Sequence, residues 1–369
     1  MSQVRFVHHG LFPGTDSARY VTDQLDYLEH APLTLLTQPE RGPGSDMAAR
    51  SLAWLRGLPV DLQPYGWRLS RAAGIDQRRI ESALHTDLAA LGDSLCAAGM
   101  EKLSELKLQS YGPLTLGAAI HLPSGEKVLG DQGALSELGV EQAHTTAEAL
   151  QQLAREYGID TFHYEVFEHE VANVLAGTVP TASGFERHRA LDPMRVQQYW
   201  TQFTSQLQQA AQESGFTLRL ILTLAGSASW SARRSMLTRQ SATHGWRLDE
   251  NTHNRFAELL ALADSADFDV LYVPENLSAP DWEHLAGWVE ADKGLCLGAP
   301  ITSAGTPTQL AQQLTERWRQ QGLPAARLNQ TTVAALTETQ SLEYSAHRQL
   351  IEDAINVSDA LNQMSADGF

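Results

Sequence analysis

With only two cysteines in 369 residues, several chemistries are excluded at the outset. Cys96 and Cys296 stand far apart, so there is no disulfide framework and no Cys-x-x-Cys zinc or redox pair. A reducing compartment, the cytoplasm, is the expectation. Both cysteines lie in apolar runs and are expected as small core residues rather than nucleophiles. Positive charge is also scarce. Lys and Arg number 27 against 44 Asp and Glu, a net charge of −17, and only Lys102, Lys107, Lys127 and Lys293 are lysines. Such a surface repels phosphate backbones and anionic lipid, so neither a nucleic-acid nor a membrane partner is expected. No run approaches the ~20 apolar residues of a membrane span. The start, MSQVRFVHHG, lacks the basic and apolar segments of a secretory signal. No dinucleotide glycine fingerprint, Walker loop or GxSxG elbow is found in its proper context.

Hydrophobic residues make up 43% and charged residues 19%, a globular balance. The length allows two ordinary domains or one large barrel. Short strand-like runs stand at 4–9, 58–64, 106–111, 161–167, 217–224, 268–273, 294–299 and 326–331. Helical patterns fill the gaps at 46–57, 76–99, 133–157, 193–214, 253–264, 280–292, 307–321 and 340–364. Asp192-Pro193 reads as a cap followed by a first-turn proline, and Ser278 before Pro280 reads similarly. Gly158 and Gly215 stand where left-handed helix stops are expected. Eight strands alternating with eight helices predict an α/β fold, a single (β/α)8 TIM barrel with long βα loops. It would occupy 1–369 as one domain, with 365–369 frayed. Two Rossmann-like halves are the competing arrangement and would need a break near 180–193.

In a barrel, function sits at the C-terminal ends of the strands. The first strand ends in His8-His9, with Asp16 in the following loop. Adjacent strand residues face opposite sides, so at most one of the two histidines enters a pocket. The third strand ends at Tyr111. The fourth carries HYEVFEHE, where alternation puts His163, Glu165, Phe167 and His169 on one face. Such a set can bind a divalent metal. The plain alternative ends the strand by 167 and leaves the later charges in a solvated loop. The sixth strand is followed by Glu275. RGPGSD (41–46) either holds an anion on its backbone N–H groups or simply caps a helix through Ser45 or Asp46.

Five segments share a resemblance: FPGTD (12–16), RGPGSDM (41–47), LPVDLQPYGWRL (58–69), YGPLTLGAAIHLPSGEKVLGD (111–131) and VLAGTVPTASGF (174–185). Together they resemble the cobalamin-independent methionine synthase family. The likeness is to its C-terminal catalytic barrel and its short single-barrel actinobacterial type, in a superfamily shared with uroporphyrinogen decarboxylase. It covers most of residues 5–300 and fades beyond. It implies a (β/α)8 barrel and methyl transfer from a methylated folate or another donor to a thiol. It also implies a zinc ion held by His, two Cys and an acidic residue, which activates the thiol.

The ligand positions do not carry over. The family's His-x-Cys falls on Thr223-Leu224-Ala225, and its late Cys falls near Thr331. Its Asp-Glu-Pro falls on Phe167-Glu168-His169, so only the glutamate remains. Thr and Ala cannot replace thiolate ligands. No cofactor is therefore expected, and the leading reading is a pseudoenzyme or binding protein that keeps a small-molecule pocket. Glu168 is the best catalytic candidate. His8, His9, Asp16, Tyr111, Glu168, His169 and Glu275 are the candidate ligand contacts. One alternative is an active methyltransferase with altered ligands and zinc. Another is a metal-free, decarboxylase-like enzyme using Arg187, Arg189, Arg233 and Arg234.

Overall fold

Parallel strands that are apolar on both faces need cover on both sides, and the alternating helices supply it. The computed structural model describes residues 3–35, 37–227, 246–274, 277–299, 306–337 and 344–368. In chain order the strands are β1 (Arg5–Gly10), β2 (Leu33–Thr34), β3 (Val60–Gln63), β4 (Gly66–Leu69), β5 (Glu105–Tyr111), β6 (Thr161–Phe167), β7 (Thr217–Thr223), β8 (Gly226–Ser227), β9 (Trp246–Arg247), β10 (Val270–Val273), β11 (Gly294–Ala299) and β12 (Thr331–Thr337). The helices are α1 (Ser17–Leu25), α2 (Met47–Ala53), α3 (Ile75–Ala97), α4 (Pro113–Ala119), α5 (Gln132–Tyr157), α6 (Val171–Ala176), α7 (Pro193–Ser214), α8 (Glu250–Asn254), α9 (Phe256–Ser265), α10 (Ala279–Glu290), α11 (Pro307–Gln320) and α12 (Tyr344–Asp367).

Eight strands form one parallel sheet in the order β1-β12-β11-β10-β7-β6-β5-β2. Its two ends meet through the parallel bridge Leu11↔Thr37 and a hydrogen bond from Phe12 N to Thr37 O at 2.9 Å. The result is a nearly closed (β/α)8 barrel. The sheet is continuous through β6 and β7, so the Rossmann-half arrangement does not apply. No helix among the described residues is long and apolar enough to cross a membrane.

Local signals explain the helix limits. The Asp192 carboxylate accepts from Met194 N at 2.8 Å ahead of Pro193, and α7 stops at Gly215 with φ of 74°. Ser278 and Asp281 form a reciprocal capping box at the start of α10. Gly158 ends α5 in the left-handed region at φ of 64°.

Two expectations need correction. The run 58–64 is not a barrel strand: β3 pairs antiparallel with β4 in a separate hairpin. The second barrel strand is Leu33–Thr34, which is short because it contacts the sheet only at Leu106 and Lys107 of β5. The run 326–331 is a 3-10 turn over Ala325–Gln330, and the eighth strand begins at Thr331. The last helix reaches Asp367, and Ser365 Oγ donates to Ala325 O at 3.1 Å.

Candidate functional site

Side chains from non-adjacent strands can touch only across the barrel interior, and a polar set does so here. Glu165 of β6 is 1% exposed. Its Oε1 lies 2.6 Å from Nδ1 of His9 on β1. The same oxygen accepts from Thr223 Oγ1 of β7 at 2.6 Å. Its Oε2 accepts from the Lys107 ammonium of β5, which also donates to His8 O at 2.7 Å. The His9 ring lies flat on Tyr272 of β10, with centroids 3.9 Å apart, and tilts against Phe167 at 5.4 Å. Cys296 and Thr332, register partners on β11 and β12, continue the set.

The electrostatics follow from burial and pairing. Burial opposes a charge on Glu165, but contact with His9 and the Lys107 ammonium outweighs it and holds the carboxyl down to about 2. Burial lowers His9 below its usual value despite Glu165. The pair is therefore a neutral imidazole whose Nδ1 lies 2.6 Å from a carboxylate whose charge Lys107 balances. Burial, with Glu165 nearby, pushes the Cys296 thiol up to about 12, so it is no nucleophile.

The candidate contacts do not form one cluster. His9 enters the interior. His8 faces the opposite way, edge-on to Phe6 and Phe12. Tyr111 and His169 meet at the C-terminal end of the barrel, with ring centroids 5.5 Å apart. Asp16 is exposed and caps α1, accepting from Arg19 N at 3.0 Å. Glu275, Arg233 and Arg234 lie outside the described residues.

Glu168 is fully buried and faces the first turn of α4. Leu114 N, Thr115 N and Trp200 Nε1 donate to its oxygens at 3.2, 2.8 and 3.0 Å. Burial raises its pKa despite these donors. Its present contacts are those of a helix anchor.

HYEVFEHE does not act as one group. His163 sits near the N-terminal end of β6, 2.9 Å from Glu105, while His169 lies past the strand. Asp46, not Ser45, caps α2 by accepting from Ala49 N at 2.7 Å, so a carboxylate already occupies the end where an anion would sit. Cys96 is exposed on α3 rather than in the core, whereas Cys296 is buried.

The zinc ion implied by the family resemblance can be tested against these donors. The Thr223 hydroxyl is held by Glu165, and Ala225 offers only a methyl group. The Glu168 oxygens already accept three N–H groups. Thr331 opens β12 and so sits at the N-terminal rim, opposite the strand ends where the late ligand was expected. Among the described residues no three His, Cys, Asp or Glu side chains are grouped to hold a metal ion. These positions do not fit a tetrahedral zinc site.

Lys107 and Tyr272 were not singled out from the sequence. A signal was present: Lys107 and Glu165 are charged residues within strands that a parallel barrel buries on both faces.

No protein-family model matches the chain. No curated protein matches it either. Among solved structures, a B12-independent methionine synthase from Shewanella sp. W3-18-1, in complex with selenomethionine, is similar over 99% of this chain and 98% of its own, at 11% identity and a TM-score of 0.54. An oxaloacetate acetylhydrolase in complex with oxalate matches over 99% and 94% of the two chains, at 11% identity and a TM-score of 0.33. At this identity the first likeness shows the shared barrel fold.

Proposed function

We propose that this chain is a small-molecule-binding barrel of methionine-synthase-like type that does not carry out zinc-dependent methyl transfer to a thiol. One observation carries the reading. Thr223, at the position where the family places a zinc-binding histidine, donates its hydroxyl proton to Glu165 at 2.6 Å. The residue is built into a protein–protein hydrogen bond and presents no ligand nitrogen. The ligand space lies at the C-terminal ends of the strands, near Tyr111 and His169. Because the structural neighbour was solved with selenomethionine, amino acids are the first class to screen. A cytoplasmic location agrees with the scarcity of cysteine.

Zinc-loaded protein is incubated with methylated folate and homocysteine, and methionine is measured. No turnover above the protein-free background is expected. Zinc-dependent turnover would overturn the proposal.

A metal-free enzyme is the second reading, favoured by the His9–Glu165 pair. Glu165 lies 2.6 Å from the imidazole Nδ1, the kind of pairing a histidine general base uses. The arginine clamp considered for such an enzyme loses one member. Arg187 donates to Gly184 O and Glu186 O within its own exposed loop, at 3.1 and 3.2 Å.

A further inference from the structure

A crevice lies outside the barrel wall, away from the His9–Glu165 set. It opens between α10 and α11, at the C-terminal ends of β10 and β11, and encloses about 110 Å³. The floor is apolar, formed by Val273 and Leu297 from the sheet and Trp282 from α10. From α11 come Leu310, Gln313, Leu314 and Arg317, spaced to share one helix face. Leu310 and Leu314 are buried, while Gln313 and Arg317 are exposed and form the lip.

Two further observations point to an anionic ligand. Arg317 lines the crevice and meets no carboxylate among the described residues, although the chain carries a net charge of −17. The indole N–H of Trp282, a residue only 6% exposed, also has no acceptor among the described residues. A guanidinium offers a planar donor fork that matches a carboxylate. The size limits the rest of the ligand. An apolar cavity of about 150 Å³ accommodates benzene, so this crevice takes an aliphatic tail of about four carbons.

We infer that the crevice is a binding site for a short aliphatic monocarboxylate. The carboxylate pairs with Arg317 at the lip, beside Gln313. The tail displaces water from the floor of Val273, Leu297 and Leu314. The site is separate from the barrel interior, so the inference does not depend on the function proposed above.

The probe is 3-methylbutanoate, titrated into 15N-labelled full-length protein. The reporter is the Trp282 indole resonance, assigned by its loss in Trp282→Phe. A saturable movement of that peak is expected. Arg317→Gln, an exposed substitution that leaves the core intact, is expected to weaken the affinity roughly tenfold or more, the effect of losing a charge-assisted hydrogen bond. The uncharged analogue 3-methylbutan-1-ol is expected to bind wild-type protein more weakly by a similar factor. Leu314→Trp fills the floor and is expected to abolish the movement. A Trp282 peak that does not move, or an affinity unchanged in Arg317→Gln, would overturn the inference.

Discussion

His9 and Tyr272 stack face to face across the barrel interior, with centroids 3.9 Å apart and planes 3° from parallel. The stack fixes the plane of the imidazole, and Glu165 lies 2.6 Å from its Nδ1. Lys107 then balances the carboxylate charge. The three polar residues are each 1% exposed or less, so none of their interactions is screened by water.

Removing one partner of such a pair leaves an unpaired buried charge. Lys107→Met is expected to destabilise the protein by roughly 3–5 kcal/mol. The double substitution Lys107→Met/Glu165→Leu is expected to cost less than Lys107→Met alone, because it removes both charges. Urea unfolding of the two variants measures the difference. Equal or additive costs would show that the pair is not coupled as described.

Stability should fall on acidification in two stages. His9 and His163 are both lowered by burial, so the unfolded chain takes up their protons first as pH falls below the ordinary histidine value. The native state loses stability in that window. Glu165 and Glu105 are held down to about 2, the latter by His163 and Arg5. The stability they contribute is complete above the ordinary carboxylate range and is lost as pH falls towards their folded values. Glu168 has the opposite sign, because its raised pKa favours the folded state more at low pH. Unfolding free energies between pH 7 and pH 3 test the sum. A flat profile across the histidine window would contradict the buried, neutral His9.

Two glycine substitutions should act in opposite directions. A Cβ at Gly112 would overlap the Glu168 carboxyl where it meets α4. Gly112→Ala is expected to cost about 1–3 kcal/mol through overpacking. Gly287 is exposed within α10, and a Cβ there meets nothing within 4 Å. Gly287→Ala is expected to stabilise the protein by about 0.5–1 kcal/mol through helix propensity. Thermal unfolding of the two variants reads both signs.

The two thiols should react in distinct phases. Cys96 is exposed on α3, while burial holds the Cys296 thiol up at about 12. Titration of folded protein with a chromogenic disulfide reagent is expected to give one thiol promptly and the second only on unfolding. Two prompt thiols would mean that the interior around Cys296 opens readily.

The barrel was legible because its strands and helices differ in hydrophobic period, and because caps such as Asp192 and stops such as Gly158 mark the helix ends. The second strand was not legible, since Leu33–Thr34 is too short to show any period. The alternating run at 58–64 was the stronger strand signal, but it pairs locally with Gly66–Leu69. The eighth strand was displaced because the apolar residues before Thr331 are used in a 3-10 turn. Within the site, alternation correctly put Glu165 and Phe167 on one face of β6. It could not show that His163 and His169 stand at different depths. Nor could it bring Lys107, His9 and Tyr272 to Glu165, because those contacts join segments from four strands.

Zinc content tests the central claim most directly. The protein is incubated with excess zinc, freed of unbound ion by gel filtration and analysed by elemental mass spectrometry. The positions of Thr223, Ala225 and Glu168 predict a zinc-to-protein ratio far below one, unchanged in Thr223→Val. A ratio near one that falls when Glu168 or His169 is replaced by Ala would contradict the account.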